Sequence, residues 1–551
     1  MHCEIMHLMI TKRRYKDKTI EHAKIVESYR EKGKTPRKRT IFNLGTIKNE
    51  ENRIKFKQIL NSMKEGKGEF IQKKELRVEE TKEYGITYTA NKLLEKYNLD
   101  NILKKQLSQN KAAFDVYSTI KALIINRLIK SSSDLSAYDW IQNDYSEKLD
   151  IKEHHIYRAL DHLIKRKDEI EKQTFDSLKE KLKLDTSKVH YDLTSSYFEG
   201  GKCEIAFFGH SRDKRRDRKQ IVIALVMCDG IPIHHEVYKG NTADKSTLEE
   251  MAKNLREKLG IKNAVIIADG GLLTEDNLKD LEDNGQEYIL GNPRRNNKMA
   301  EKYLIKEIIS KDNQSAKEAG LEKVKKDEKE YTRRYILCLN KDTKKERLKT
   351  LEIIKKKLEK KLEDLQNKYK KSQKSTKEKK MTKESMFRQA DKLLGKNRRM
   401  FELKIKENGI EISFKKDVYD YEKKIAGKFL IVTNTDDKAD EIMMSYKELQ
   451  MVENAFDEIK NFLDIRGIYH WKERRVRAHV FVCVLSFLVE SIIERFSDES
   501  ARETLRKLER IHITQIKVGK INEKRLTMNP LIDAKDIFKK VGIKQPNYLC
   551  L

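Results

Sequence analysis

Between residues 186 and 295 the apolar residues fall into short, strand-length runs that alternate with stretches of helical period. Val189 to Leu193, Gln220 to Met227, Ile231 to Tyr238, Ala264 to Ala268 and Tyr288 to Leu290 are the strands this pattern predicts. Asp229-Gly230 is a two-residue turn that joins the second strand to the third as a hairpin. Ser246 to Leu259 and Thr274 to Asn284 carry apolar residues three and four apart and predict amphipathic helices. The order β-β-β-α-β-α-β predicts a mixed α/β sheet.

The pattern differs on either side. Over residues 1–80, Ala23 to Arg30 alternates, Lys32-Gly33-Lys34 turns, and Arg39 to Leu44 returns, which predicts a basic hairpin arm. Residues 81–185 read as helices, with Tyr117 to Ile129 and Ile156 to Ile164 apolar at helical spacing. Such a bundle suits DNA binding or dimerisation, but its apolar stripe reads first as core. Residues 296–440 interrupt the sheet pattern. Strand-like pieces (Tyr331 to Leu339, Gly409 to Phe414, Phe429 to Thr433) flank a lysine-dense segment from Asp342 to about Arg399. Within it Leu351, Ile354, Leu358, Leu362, Leu365 and Tyr369 make a one-sided helix, suited to lying along DNA or to packing as a helical hairpin on its own stripe. Residues 441–500 return to helices, one from Ser445 to Asp464 and an apolar one from near Arg474 to Phe496. The tail, 501–551, is basic and mixed.

Composition narrows the partners. The chain has 551 residues, and Lys+Arg exceed Asp+Glu by 119 to 89, a formal charge of +30. So basic a balance points to a polyanion, with nucleic acid ahead of membrane. The six cysteines are scattered, without C-x-x-C, so neither a zinc ribbon nor a disulfide framework is indicated. No signal peptide opens the chain. The longest apolar run, Val480 to Val489, is about half the roughly 20 residues that span a bilayer and predicts a buried helix. The expected location is the cytoplasm or the chromosome.

The candidate chemistry lies in three carboxylates. Asp192 ends the run from Val189, Asp269 ends the run from Ala264, and Glu453 sits on the helix from Ser445. Two acids at strand ends and one on a helix can gather around divalent metal, and Mg²⁺ takes oxygen ligands and completes its shell with substrate phosphate. Tyr446, Glu453 and Lys460 are seven residues apart, nearly two turns, so a single helix would carry all three on one face. Basic candidates for phosphate contact are Arg215, Arg216, Arg218 and Lys219 after the first strand, and Lys32, Lys34, Arg37, Lys38 and Arg39 at the N-terminal turn. His234 and His235 alternate along a strand, which sends them to opposite faces and argues against a shared metal. No G-x-x-x-x-G-K-[ST] occurs, so ATP use is not indicated.

Tyr191-Asp192-Leu193-Thr194-Ser195-Ser196, Ile267-Ala268-Asp269-Gly270-Gly271 and the Tyr446, Glu453, Lys460 spacing resemble the DDE transposases of bacterial insertion sequences. More narrowly, they resemble the group whose last acid lies in a Tyr-Arg-Glu-Lys helix signature. Val452-Glu453-Asn454-Ala455-Phe456, Ile468-Tyr469-His470-Trp471 and Arg477-Ala478-His479 support it, as do Ile25 to Arg30 and Asn43-Leu44-Gly45. The resemblance implies an RNase H-like core with an insertion before the glutamate helix. Water would cleave at the transposon end, and the freed 3′-hydroxyl would then attack target DNA. It implies two Mg²⁺ ions (Mn²⁺ substituting) held by Asp192, Asp269 and Glu453, DNA contacts by Tyr446 and Lys460, and a dimer or larger assembly on paired ends. The sequence departs from the signature at Leu449, where its arginine falls. The tryptophans, Trp140 and Trp471, both lie outside the insertion, which disfavours a hairpin route using one to hold a flipped base. A metal-dependent nuclease without joining and a non-catalytic DNA-binding relative stay open as alternatives.

Overall fold

The computed structural model describes residues 6–15, 18–29, 35–47, 49–64, 76–108, 112–295, 297–326, 329–374, 380–406, 409–466, 468–518 and 521–546. The chain divides into two units. One comprises residues 1–89, 142–148 and 502–551, and the other 90–141 and 149–501.

The first unit opens with an antiparallel sheet of β1 (Met6–Tyr15), β2 (Lys18–Tyr29) and β3 (Arg37–Ile47), paired in chain order. The expected hairpin is β2 with β3. Strand β1 is an addition, because Lys12, Arg13 and Arg14 hide its alternation. Ala23, Ile25 and Val26 form its buried side. Lys32 and Lys34 lie outside the described residues. Arg37 and Lys38 are exposed, and Arg39 pairs with Glu27 at 2.5 Å. The unit continues into β4 (Leu76–Glu83).

The second unit is built on one eight-stranded sheet. Its strands are β5 (Lys188–Tyr197), β6 (Gln220–Cys228), β7 (Ile231–Lys239), β8 (Val265–Ala268), β9 (Tyr288–Asn292), β10 (Gln314–Lys326) and β11 (Lys329–Asn340), completed by a later strand. Between β11 and that strand stand a small hairpin, β12 (Phe401–Lys406) with β13 (Gly409–Phe414), and three helices, the last of them Lys416–Lys424. The eighth strand is β14 (Lys428–Thr433). The spatial order is β10-β11-β14-β9-β8-β5-β6-β7. Strands β5, β8 and β9 run parallel, and the remaining pairs are antiparallel. The first five strands follow the predicted β-β-β-α-β-α-β order, an RNase H-like mixed sheet. Every residue of β6 is buried, as its unbroken apolar run requires of a strand covered on both faces. Asp229 (φ 50°) and Gly230 (φ 77°) supply the two positive φ angles of the tight turn into β7.

Strands β10, β11 and β14 extend this same sheet rather than interrupting it. The inserted part proper carries helices Lys341–Gln373 and Lys383–Leu394. The stripe Leu351, Leu358, Leu362, Leu365 and Tyr369 is buried against Met386, Ala390, Leu394 and the β12–β13 hairpin. The stripe is therefore the core of the excursion itself.

Helix Val116–Ile129 is buried almost all round and packs on Glu153–Leu163 and on Glu473–Phe496. Its apolar stripe is core, not a docking face. Helix Glu473–Phe496 is long and apolar enough to cross a membrane, but 94% of that apolar window is buried inside the protein. It lies over β7.

His234 and His235 hold successive register positions on the edge strand β7, opposite Val226 and Leu225, with no register shift between them. Both Nδ1 atoms reach one carboxylate, Glu171, at 2.7 and 2.6 Å. Glu171 lies at the open edge of β7, where it also accepts from the His235 N–H at 3.3 Å, while the register shift of β7 against β6 falls before His234. Lys167 closes the network on Glu171 (3.0 Å) and Glu236 (3.3 Å), so the pair serves a buried ionic cluster.

In the first unit the tail supplies β15 (His512–Val518) and β16 (Ile521–Leu526), which complete an antiparallel sheet in the order β16-β15-β4.

Candidate functional site

Parallel pairing of β5 with β8 ends at Tyr191 opposite Ala268. The next residue on each strand is an acid, so Asp192 and Asp269 stand side by side where β8 stops. Asp192 is not at the end of its own strand, as the apolar run suggested. Leu193 to Tyr197 stay paired with β6, and β5 runs on five residues past it. The site thus sits in the crevice beyond the carboxyl end of β8.

The third acid arrives on helix Gln450–Asn461, which packs against β5. Tyr446 belongs to the preceding helix, Ala439–Lys447. A single continuous helix with all three residues on one face is therefore not what forms. Between the two helices Leu449 N–H bonds Tyr446 C=O at 3.2 Å and Val452 N–H bonds Leu449 C=O at 3.0 Å, a tightened i→i+3 turn. Lys188 Nζ bonds Ser445 Oγ at 2.8 Å and His190 Nε2 meets Ser445 C=O at 3.3 Å, which ties the first helix to β5.

The junction aims Tyr446 at the acids. Its hydroxyl donates to Asp269 Oδ1 at 3.2 Å, and its ring stacks on Phe429 at 5.8 Å. Gly291 and Gly270 line its path, and a Cβ on Gly291 would overlap the Tyr446 hydroxyl. Burial, then the neighbouring Asp269 carboxylate, raises the Tyr446 phenol, so it stays a donor. Asp192 is pushed up to about 7. Burial is the main cause, and the charges of Asp269 and Glu453 add to it, while the Leu193 N–H and Arg212 pull the other way. Asp192 lies within electrostatic range of Asp269 and of Glu453. Asp269 and Glu453 line a cavity of about 660 Å³ with Tyr446, Leu449, Lys447 and Arg294.

The cationic candidates fare differently. Lys460 is buried and ion-paired with Asp213 at 2.9 Å, so it pins the loop after β5 to the Glu453 helix instead of facing the cavity. Arg466 joins the same carboxylate at 3.3 Å. Arg215 makes a bidentate pair with Asp217 and lies over the Tyr197 ring, and Arg218 pairs with Glu199 at 3.3 Å. Arg216 is exposed and Lys219 half-buried.

Sequence reasoning missed Asp244 and Arg294. Asp244 pairs with Arg212 at 2.7 Å, and its carboxylate and that of Asp269 both face Gly271. Arg294 follows β9 by two residues. Neither position carries a periodicity or spacing that would have marked it.

Residues 185–489 match the model of the transposase DDE domain, and residues 8–75 that of the IS1634 family transposase N-terminal domain. No curated protein matches the chain. Among solved structures it is similar to a piggyBac transposase synaptic complex with hairpin DNA, at 10% identity and a TM-score of 0.35 over 77% of this chain and 79% of that one. That likeness is too distant to bear on activity.

Proposed function

The chain belongs to the DDE transposases of insertion sequences, enzymes dependent on divalent metal, and we propose that it cuts the DNA ends of its element and joins the freed 3′-hydroxyls to target DNA. Asp192, Asp269 and Glu453 are the acids of the reaction, and they would hold two Mg²⁺ ions, with Mn²⁺ as a substitute. The donor set suits a hard cation. All three ligands are carboxylates, and the upward push on Asp192 by burial and by the other two acids is a strain that bound cations relieve. The reading rests on the placement of Asp192 and Asp269 side by side, one residue past the end of the β5–β8 pairing.

When bound, the metal supplies positive charge that favours the nucleophile and steadies the leaving oxygen. In the cut, a water oxygen bonds phosphorus and the P–O3′ bond breaks, leaving a 3′-hydroxyl and a 5′-phosphate. In the joining step that hydroxyl bonds a target phosphorus and gives its proton to solvent, the target P–O3′ bond breaks, and the released 3′ oxygen takes a proton from solvent to become a hydroxyl. Tyr446 holds the Asp269 carboxylate in orientation through its hydroxyl. Lys460 acts through Asp213, keeping the Glu453 helix in register with the loop after β5. Arg216, Arg37 and Lys38 meet DNA backbone directly, whereas Arg215 and Arg218 exchange their carboxylate partners for phosphate. Two ends cut together call for a dimer or larger assembly.

Gly291→Ala tests the role given to Tyr446. The added methyl displaces the tyrosine from Asp269, so end cleavage falls about 10–100-fold while the circular dichroism spectrum is unchanged. Unaltered cleavage removes Tyr446 from the mechanism. For the function as a whole, the full chain is incubated with Mg²⁺ and duplexes carrying the inverted ends of its element. Cleavage followed by joining to a second DNA is expected. Nicking without joining would make it a nuclease, and binding without cleavage in Mg²⁺ or Mn²⁺ a DNA-binding relative.

A further inference from the structure

The cavity that holds Asp269 and Glu453 has a second, cationic pole. Arg294 and Lys447 line it. Arg294 is exposed, and among the described residues it makes no ion pair or side-chain hydrogen bond. Behind it lie three more guanidinium groups crowded on one acid. Arg399 reaches the Glu422 carboxylate at 2.6 Å, Arg347 at 3.3 Å and Arg295 at 3.9 Å. Arg294 lies within electrostatic range of Arg347, Glu422, Arg295 and Tyr446. The four arginines come from three places in the sequence. Arg294 and Arg295 follow β9, Arg347 lies on the long insertion helix, and Arg399 precedes β12.

Three guanidinium groups share the Glu422 carboxylate, and Arg294 stands within electrostatic range of them without a carboxylate of its own, which leaves an excess of positive charge. Such a local excess of positive charge at the rim of a cavity attracts an anion. A guanidinium fork matches phosphate oxygens in pairs, which suits this chemistry better than a lysine does. A small free anion would meet the field of Asp269 and Glu453 in the same cavity. A nucleic-acid strand avoids that conflict, because its phosphates recur about every 3.4 Å of helix axis and can satisfy both poles at once. Leu449 lines the cavity too, and leaves no cation at its own position.

Resting on the transposase reading above, we infer that Arg294, backed by Arg295, Arg347 and Arg399, clamps a backbone phosphate of the DNA next to the one that is cut, supplying the cation that Leu449 cannot. The insertion therefore contributes to the grip on substrate through Arg347 and Arg399, while its leucine stripe stays inside.

The test is fluorescence anisotropy of a labelled end duplex with the full chain in EDTA, across a series of KCl concentrations. Arg294→Gln is expected to weaken binding several-fold and to make the slope of log K against log [salt] shallower by about one, the value of one lost phosphate contact. Arg294→Lys is expected to restore the slope but not the cleavage rate in Mg²⁺, because an ammonium lacks the paired donors. Arg294 is exposed, so folding is not at issue. An unchanged slope and affinity in Arg294→Gln overturns the clamp. A shallower slope together with wild-type protein that never cleaves leaves the clamp standing and sinks the transposase reading, so the two failures are told apart.

Discussion

Asp192→Asn is expected to abolish Mg²⁺-dependent cleavage of end DNA, by on the order of 10³-fold or more, while raising the unfolding temperature of the metal-free protein. The two effects share one cause. A carboxyl moved from 3.8 to about 7 corresponds to roughly 4 kcal/mol disfavouring its charged form. The folded state holds this proton more tightly than the unfolded chain, so stability falls as pH rises from 3.8 through about 7. The amide carries no charge to disfavour. Its stabilising effect is largest above pH 7 and shrinks toward pH 3.8. Calorimetry at pH 8 and pH 5, beside a cleavage assay, reads both. Lost cleavage with a lowered unfolding temperature would mean that Asp192 supports the fold and would remove it from the chemistry.

The second large effect concerns stability. Arg127→Leu is expected to lower the free energy of unfolding by about 3–5 kcal/mol in a urea titration. Arg127 is buried and donates to the carbonyls of Leu463 (3.3 Å) and Asp464 (3.2 Å), just past the end of the Glu453 helix. It also lies 3.7 Å from Asp134 and 3.4 Å from His479 Nδ1. Asp134, His470 and His479 bring ligand atoms within 4.8 Å of one another, but Arg127 supplies the positive charge there. Burial first, and then Arg127, pushes His479 down to about 3. The unfolded chain takes up this proton near pH 6.5 and the folded protein does not, so His479 erodes stability as pH falls from 6.5 toward 3. Asp134 behaves differently. Burial pushes it up, but the His470 hydrogen bond and the charges of His470, His479 and Arg127 outweigh that and hold it near 2, so its share is lost between about 3.8 and 2. Removing Arg127 relieves His479 and flattens the loss above pH 4. An unaltered acid profile in Arg127→Leu would uncouple His479 from the arginine.

The sheet was legible because its central strands are buried on both faces and so read as unbroken apolar runs, β6 above all. The Asp229-Gly230 turn was legible because a two-residue loop with two positive φ angles admits few residue pairs. Strands β1 and β10 were not, because lysine, arginine and glutamate on their exposed positions mask the period of two. The three acids could be named because each sits where an apolar run or a helical stripe reaches a polar edge. The break at Glu448 and Leu449 could not be foreseen, since neither residue opposes helix and the tightening is tertiary. Lys460 shares a face with Glu453 in the sequence pattern, yet Asp213, about 250 residues away, claims it. Arg294 and Glu422 gain meaning only from neighbours that folding supplies. His234 and His235 share a partner, Glu171, that comes from a distant helix and that strand periodicity cannot name.

The excursion between β11 and β14 leaves the sheet at Asn340 and comes back at Gly427, and a single backbone hydrogen bond of 2.9 Å from Asn340 N–H to Gly427 C=O joins departure to return. Gly427 has a φ of +70°, and a side chain there would strike the Asn340 carbonyl. A segment with adjoining ends and an interior of its own is a cassette. Lengthening, trimming or exchanging it changes little beyond a loop-closure term that grows only logarithmically. Substrate grip can therefore diverge between descendants of such a gene while the cutting machinery on the parent sheet stays as it is.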